Sequence, residues 1–167
     1  MSSLVDALLP EYDHEMATTR RLLERVREGD FPWKPHEKSM TLGELSGHLT
    51  DIPMWCSSVL DMPSLDLDEV GDRLKAKSPG SGVALLEHFD RRVSTARARL
   101  VKSTDAELLA PWALKRGTQE LFTLPRISAI RTFMMNHLIH HRGQLSVYLR
   151  LRDIAVPAIY GPTADEP

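Results

Sequence analysis

The tightest constraint on this chain lies in its last third, where Ile127, Ile130, Met134, His137, His141, Gln144 and Tyr148 recur at spacings of 3, 4, 3, 4, 3 and 4. Positions three and four apart share one face of an α-helix. The pattern therefore predicts one helix over about Arg126 to Asp153, roughly 40 Å long at 1.5 Å per residue. A helix of that length with an apolar stripe must bury the stripe against other elements, and the imidazoles on it are costly in a core unless they find partners.

The partners are predicted to be helices. A first helix is expected over about Leu4 to Arg27, with Val5, Leu8, Tyr12, Met16, Leu23 and Val26 near one face, a bend at Pro10 and a stop at Gly29-Asp30. A second starts at Thr41-Leu-Gly-Glu44, a capping-box pattern, and carries Leu45, His48, Ile52, Trp55 and Val59 on its seam. A third covers about Gly82 to Lys102, with Val83, Leu86, Asp90, Val93, Arg97 and Leu100 on one stripe and Leu85, Phe89 and Ala96 widening it. Residues Asp61 to Gly80 hold three turn signals and read as a long crossover with one short helical turn. Pro111 to Pro125 reads as a small hairpin or an irregular cover, and Ala155 to Pro167, with three prolines, as an irregular tail. Four long helices with a crossover in the middle make an all-α fold, a four-helix bundle. At 167 residues, with 42% hydrophobic and 26% charged, the expected organisation is one domain over 1–167.

Charge narrows the function. Lys and Arg total 21 against 23 Asp and Glu, a net charge of −2, which argues against a chain that works by gripping nucleic acid phosphates or an anionic membrane. No run approaches the length of a membrane span. The N-terminal Met1-Ser-Ser-Leu-Val-Asp-Ala lacks a basic leader, so no signal peptide is expected. The lone Cys56 cannot form an internal disulfide and suits a reducing cytoplasm, the expected location.

The chemistry is expected at the histidines. His137 and His141 stand four apart, one turn apart on one face, a spacing that chelates transition metals, and His48 occupies the matching seam position of the second helix. A single histidine on an apolar stripe is ordinarily a satisfied core residue; three on two seams point to a divalent ion with coordination positions left for water or substrate. Leu138 follows the first histidine where a zincin would carry Glu, so the pair brings no general base of its own. His140, three residues after His137, competes for the ligand role, although the seam count points it away from the core.

The run His137-Leu-Ile-His140-His141-Arg142-Gly143-Gln144-Leu145, with Thr41-Leu-Gly-Glu-Leu-Ser-Gly-His48-Leu, Trp33-Lys-Pro-His-Glu-Lys-Ser-Met40 and the ending Val156-Pro-Ala-Ile-Tyr160-Gly-Pro-Thr-Ala-Asp-Glu166, resembles the DinB/YfiT-like family of metalloenzymes over nearly the whole chain. The resemblance implies an up-up-down-down four-helix bundle, with His48, His137 and His141 as ligands of zinc or nickel, or else iron or manganese. It also implies a small-molecule substrate and a low-molecular-weight thiol as cosubstrate, the metal activating its sulfur for transfer or isomerisation. An open site of this kind suits hydrolysis equally. The contrasting reading is a non-catalytic bundle that binds metal and acts in a stress response through partners.

The resemblance also implies a homodimer, for which Phe133 and Leu149 are expected to be apolar outer positions. Gly143 in mid-helix reads as a close-packing residue and Gln144 as either a hydrogen-bonding support for a ligand or a satisfied core amide. Arg91, Arg92, Arg99 and Lys102 read as a solvated face; Trp33, Trp55 and Trp112 as packing residues or a pocket wall; Cys56 as a small buried hydrophobe.

Overall fold

The computed structural model describes residues 3–71 and 76–167. Side-chain caps set its first helix starts. α1 (Leu4–Leu23) opens on Ser3, whose hydroxyl accepts from the Asp6 amide while Asp6 accepts from the Ser3 amide. α2 (Leu42–Asp51) opens the same way on Thr41 and Glu44, the capping box expected there. The second predicted helix is then broken: Pro53 has no amide to donate, and the chain restarts as α3 (Met54–Asp61). Ile52, Trp55 and Val59 stay on the buried side across the break.

The all-α expectation needs correcting. β1 (Ser64–Asp66) and the short α4 (Leu67–Val70) follow α3, and after α5 (Gly82–Leu100) and α6 (Asp105–Leu109) come β2 (Pro111–Arg116) and β3 (Gln119–Pro125). β1 runs parallel to β2, Leu65 opposite Leu114, and β2 antiparallel to β3. Of the hairpin and the irregular cover that the sequence leaves open, the structure has the hairpin, turning at Gly117 with φ +55, a left-handed conformation that glycine adopts at little cost. β1, three residues long, is too short to show alternation.

The last predicted helix is three pieces: α7 (Arg126–Ala129), a π-helical turn (Ile130–Met135) and α8 (Asn136–Leu151). The π turn packs against α3, α8 packs against α1 and α2, and α5 packs against α1, α2 and α3. Asp90 and Arg97 of α5, placed on the apolar stripe by their spacing, cross-link it to α1 through Arg20 (2.7 and 3.0 Å) and Asp13 (2.7 and 2.8 Å). The core of α5 is Leu85, Phe89, Ala96 and Leu100, and Val83 is exposed. No helix among the described residues is long and apolar enough to cross a membrane.

Ile130 and Met134 of the expected seam are buried, but after the π turn, from Leu138 on, the buried stripe of the final helix lies one residue beyond that seam. It runs Met134, Met135, Leu138, Arg142, Leu145, Leu149. His137, His141 and Tyr148 line its partly buried flank, and Gln144 is exposed. Leu149 is fully buried, and Phe133 is partly buried against Trp55 and Trp112, so neither is the outer apolar position expected for a dimer contact.

At the centre of that stripe sits Arg142, 1% exposed. Its guanidinium meets the buried Glu15 carboxylate at 2.6 Å, donates to the Glu15 carbonyl at 3.1 Å and to Thr19 Oγ1 at 3.3 Å, and donates to the Tyr160 hydroxyl. The Tyr160 hydroxyl in turn stands 2.9 Å from both Glu15 oxygens. Nearly every polar atom of the cluster has a partner, the condition under which a core tolerates charge. Tyr160 arrives on the tail, which is irregular as expected and is tied down by Glu166 to Arg21 and Arg25 and by Asp165 to Arg150.

Candidate metal centre

α2 brings His48 to the flank of α8 where His137 and His141 project, one turn apart. One nitrogen from each of the three rings lies within 4.8 Å of the other two. The His48 and His137 Nε2 atoms are 2.9 Å apart, so one donates and the other accepts in a contact of two neutral rings. Ring centroids stand 5.2 Å apart for His48 and His137, 4.7 Å for His48 and His141, and 4.5 Å for His137 and His141. The three expected residues are therefore brought together.

His140 is not among them. Its exposed ring accepts from the Gln144 side-chain amide at 3.1 Å, while the Gln144 oxygen accepts from His141 Nδ1 at 2.7 Å. That second bond puts the His141 proton on Nδ1 and leaves the Nε2 lone pair for an ion, the usual way a neighbouring acceptor orients a metal-binding imidazole. Gln144 is thus the hydrogen-bonding support allowed by its spacing, and not a core amide.

Environment keeps the rings unprotonated. Burial, then the neighbouring His141, holds His48 down at about 4. Burial, then His141, His48 and His140, holds His137 at about 4. Burial also lowers His141, opposed by its bond to Gln144. Neutral imidazoles are what a divalent ion requires, and the ring that donates in the His48–His137 contact has only to carry that proton on Nδ1 instead to free its Nε2 lone pair.

An aromatic wall backs the site. The Trp55 indole meets His48 edge-on at 5.9 Å and His137 at 4.8 Å, and stacks on Phe133 at 4.8 Å, which contacts Trp112 at 5.6 Å. Trp33 packs elsewhere, against Tyr148 and Arg152. Cys56 is fully buried, and burial pushes its thiol up to about 12, which removes it as a nucleophile. Gly143 has no atom within 4 Å of where a Cβ would stand, so close packing does not account for it. The basic stretch on α5 is only partly a solvated face: Arg99 is paired with Asp61 and Glu107, and Arg92 with Asp51. Nothing in the sequence marks Glu15, 127 residues away from Arg142, as the partner that makes a buried arginine tolerable.

The DinB family model matches residues 1–167. The uncharacterized protein YrdA of Bacillus subtilis (strain 168) is 47% identical over 166 residues, spanning 99% of this chain and 93% of YrdA. Among solved structures, a DinB-like protein from Bacillus cereus ATCC 10987 superposes with a TM-score of 0.71 at 24% identity, covering 96% of this chain and 100% of that one. A putative DinB-family member from Exiguobacterium sibiricum 255-15 gives a TM-score of 0.67 at 19% identity, covering 95% and 97%. At these identities the likeness is one of fold.

Proposed function

The chain belongs to the DinB family, and on that premise we propose that it is a metal-dependent enzyme in which His48, His137 and His141 hold one divalent ion, zinc or nickel first. The observation that carries the reading is the convergence of three neutral imidazoles with Gln144 orienting one of them. The donor set fits the ion: three nitrogens of intermediate softness, with no thiolate or carboxylate among the described residues of the cluster to close the coordination sphere. We read the rods α1, α2 with α3, α5, and α7 with α8 as the up-up-down-down four-helix bundle, with the three-stranded sheet attached beside it.

The reaction class proposed is transfer or isomerisation using a low-molecular-weight thiol. When bound, the ion supplies Lewis acidity, lowering the pKa of a thiol or water beside it. The residues of the chain do the rest. Burial keeps the imidazoles available as ligands at neutral pH, Gln144 fixes the His141 ring, and the Trp55 and Phe133 rings exclude water from one side.

The test is elemental analysis of the purified protein followed by turnover of a panel of electrophiles with small thiols, with and without chelator. One equivalent of metal and a chelator-sensitive thiol conjugation support the reading. Stoichiometric metal without turnover of any pair assigns the protein to the non-catalytic class, and absence of metal binding overturns the ligand assignment.

A further inference from the structure

Beside Trp55, a cavity of about 410 Å³ opens between α2, α3, β1 and α4, and Arg92 of α5 reaches into it. Its walls are mixed in a specific way. Met54, Met62, Leu65 and Val70 make an apolar chamber, and the polar end is Arg92 with Asp51. Arg92 also borders two adjoining hollows, one of about 400 Å³ reaching Arg91 and one of about 320 Å³ reaching Lys77 and His88. Asp61, the other carboxylate at these walls, is already paired with Arg99. Among the described residues at the walls of the three hollows, Lys and Arg side chains therefore outnumber unpaired carboxylates.

Arg92 is held but not saturated. Its side chain is 26% exposed, and both of its contacts among the described residues, to Asp51 and to Thr50 Oγ1 at 3.0 Å, run through NH1. The Nε and NH2 edge has no partner among the described residues. That edge of a guanidinium is the fork that takes a carboxylate through two parallel hydrogen bonds. A space of a few hundred Å³, mainly apolar with one convergent polar group, is the usual form of a small-molecule site.

We propose that this cavity seats a small organic carboxylate with a short apolar body, its carboxylate on the Nε and NH2 edge of Arg92 and its body against Met54, Met62 and Val70, with Trp55 as the wall shared with the histidine cluster. The binding of that acid does not depend on the metal-enzyme reading above. Asp51 competes with the ligand for the same guanidinium, so the site carries its own counter-ion when empty of ligand.

The experiment uses the full-length protein, metal-free and zinc-loaded, labelled with nitrogen-15, and follows the Trp55 indole resonance, assigned through Trp55→Phe. Sodium hexanoate is titrated against hexanamide, a neutral molecule of the same length. The expected result is a saturable shift with hexanoate in both forms and binding about tenfold weaker for hexanamide, the worth of one charge-assisted hydrogen-bond pair. Arg92→Met should bring hexanoate down to the hexanamide level, and Asp51→Asn, which leaves Arg92 in place, should tighten hexanoate severalfold. A preference that survives Arg92→Met, a weakening on Asp51→Asn, or no saturable response in either form overturns the proposal. Saturable hexanoate binding by a protein that takes up no metal would remove the metal reading and leave the site standing.

Discussion

Arg142→Met replaces a buried guanidinium with an apolar chain of similar reach and leaves Glu15 behind as a carboxylate 5% exposed, its remaining partner in the cluster the Tyr160 hydroxyl. At a charge separation of about 4 Å and an effective dielectric near 20, the attraction lost is about 4 kcal/mol. Desolvation of both ions offsets most of that in the intact pair, so the pair contributes little net, whereas removing one member costs about 3–5 kcal/mol. For a chain of this size each kcal/mol moves the melting temperature by about 2–4 °C, so Arg142→Met should melt roughly 6–20 °C lower. Replacing both, Arg142→Met with Glu15→Leu, should cost far less than the sum of the singles, with a coupling of at least about 2 kcal/mol. The assay is urea unfolding of the chelated protein followed by circular dichroism, run as a double-mutant cycle. A single substitution costing under about 1 kcal/mol, or singles that add, would refute the assignment of Arg142 as a desolvated, paired charge in the core.

Competition with a metal-binding dye should show His141→Ala losing metal affinity by well over about 100-fold, Gln144→Ala by about 10- to 100-fold, and His140→Ala almost unchanged. In the metal-free protein His48 and His137 stay neutral down to about 4, whereas unfolded histidine titrates near 6.5. The unfolded chain therefore binds more protons between those values, and stability should be flat above about pH 7 and fall as pH drops from about 6.5 towards 4, read as the urea midpoint. His48→Gln with His137→Gln should flatten that slope. Gly143→Ala, with open space around its Cβ, should stabilise by about 0.5–1 kcal/mol through helix propensity. Gly47→Ala should instead destabilise, because its Cβ would overlap the Lys77 carbonyl; thermal melts of the two variants should move in opposite directions.

Local features of this chain were readable where one residue type has one mechanism. The Thr41 and Glu44 box and the grouping of His48, His137 and His141 follow from fixed spacings, and the turn formers around Gly117 allow a hairpin without choosing it over an irregular cover. The errors share a cause in contacts that spacing does not encode. A stripe through Leu138, Arg142 and Leu145 carries a charge that only Glu15 and Tyr160, distant in sequence, make tolerable, so residue pattern alone favours the neighbouring histidine stripe. The apolar rhythm continues across Pro53 and so hides the break it makes. The π turn leaves no mark in residue type, and β1 exists only because β2 offers it an edge.

The π turn between α7 and α8 also bears on how this chain tolerates insertions and deletions. A π turn closes its hydrogen bonds one residue further on than an α turn, so deleting one residue within Ile130–Met135 lets it relax to ordinary helix while α7, and the hairpin leading into it, keep their line on α8. The histidines, all downstream or on α2, keep their register. A one-residue deletion at this joint is therefore absorbed where it falls, whereas the same deletion between His137 and His141, in regular helix, would turn one imidazole about 100° away from the other and take the cluster apart.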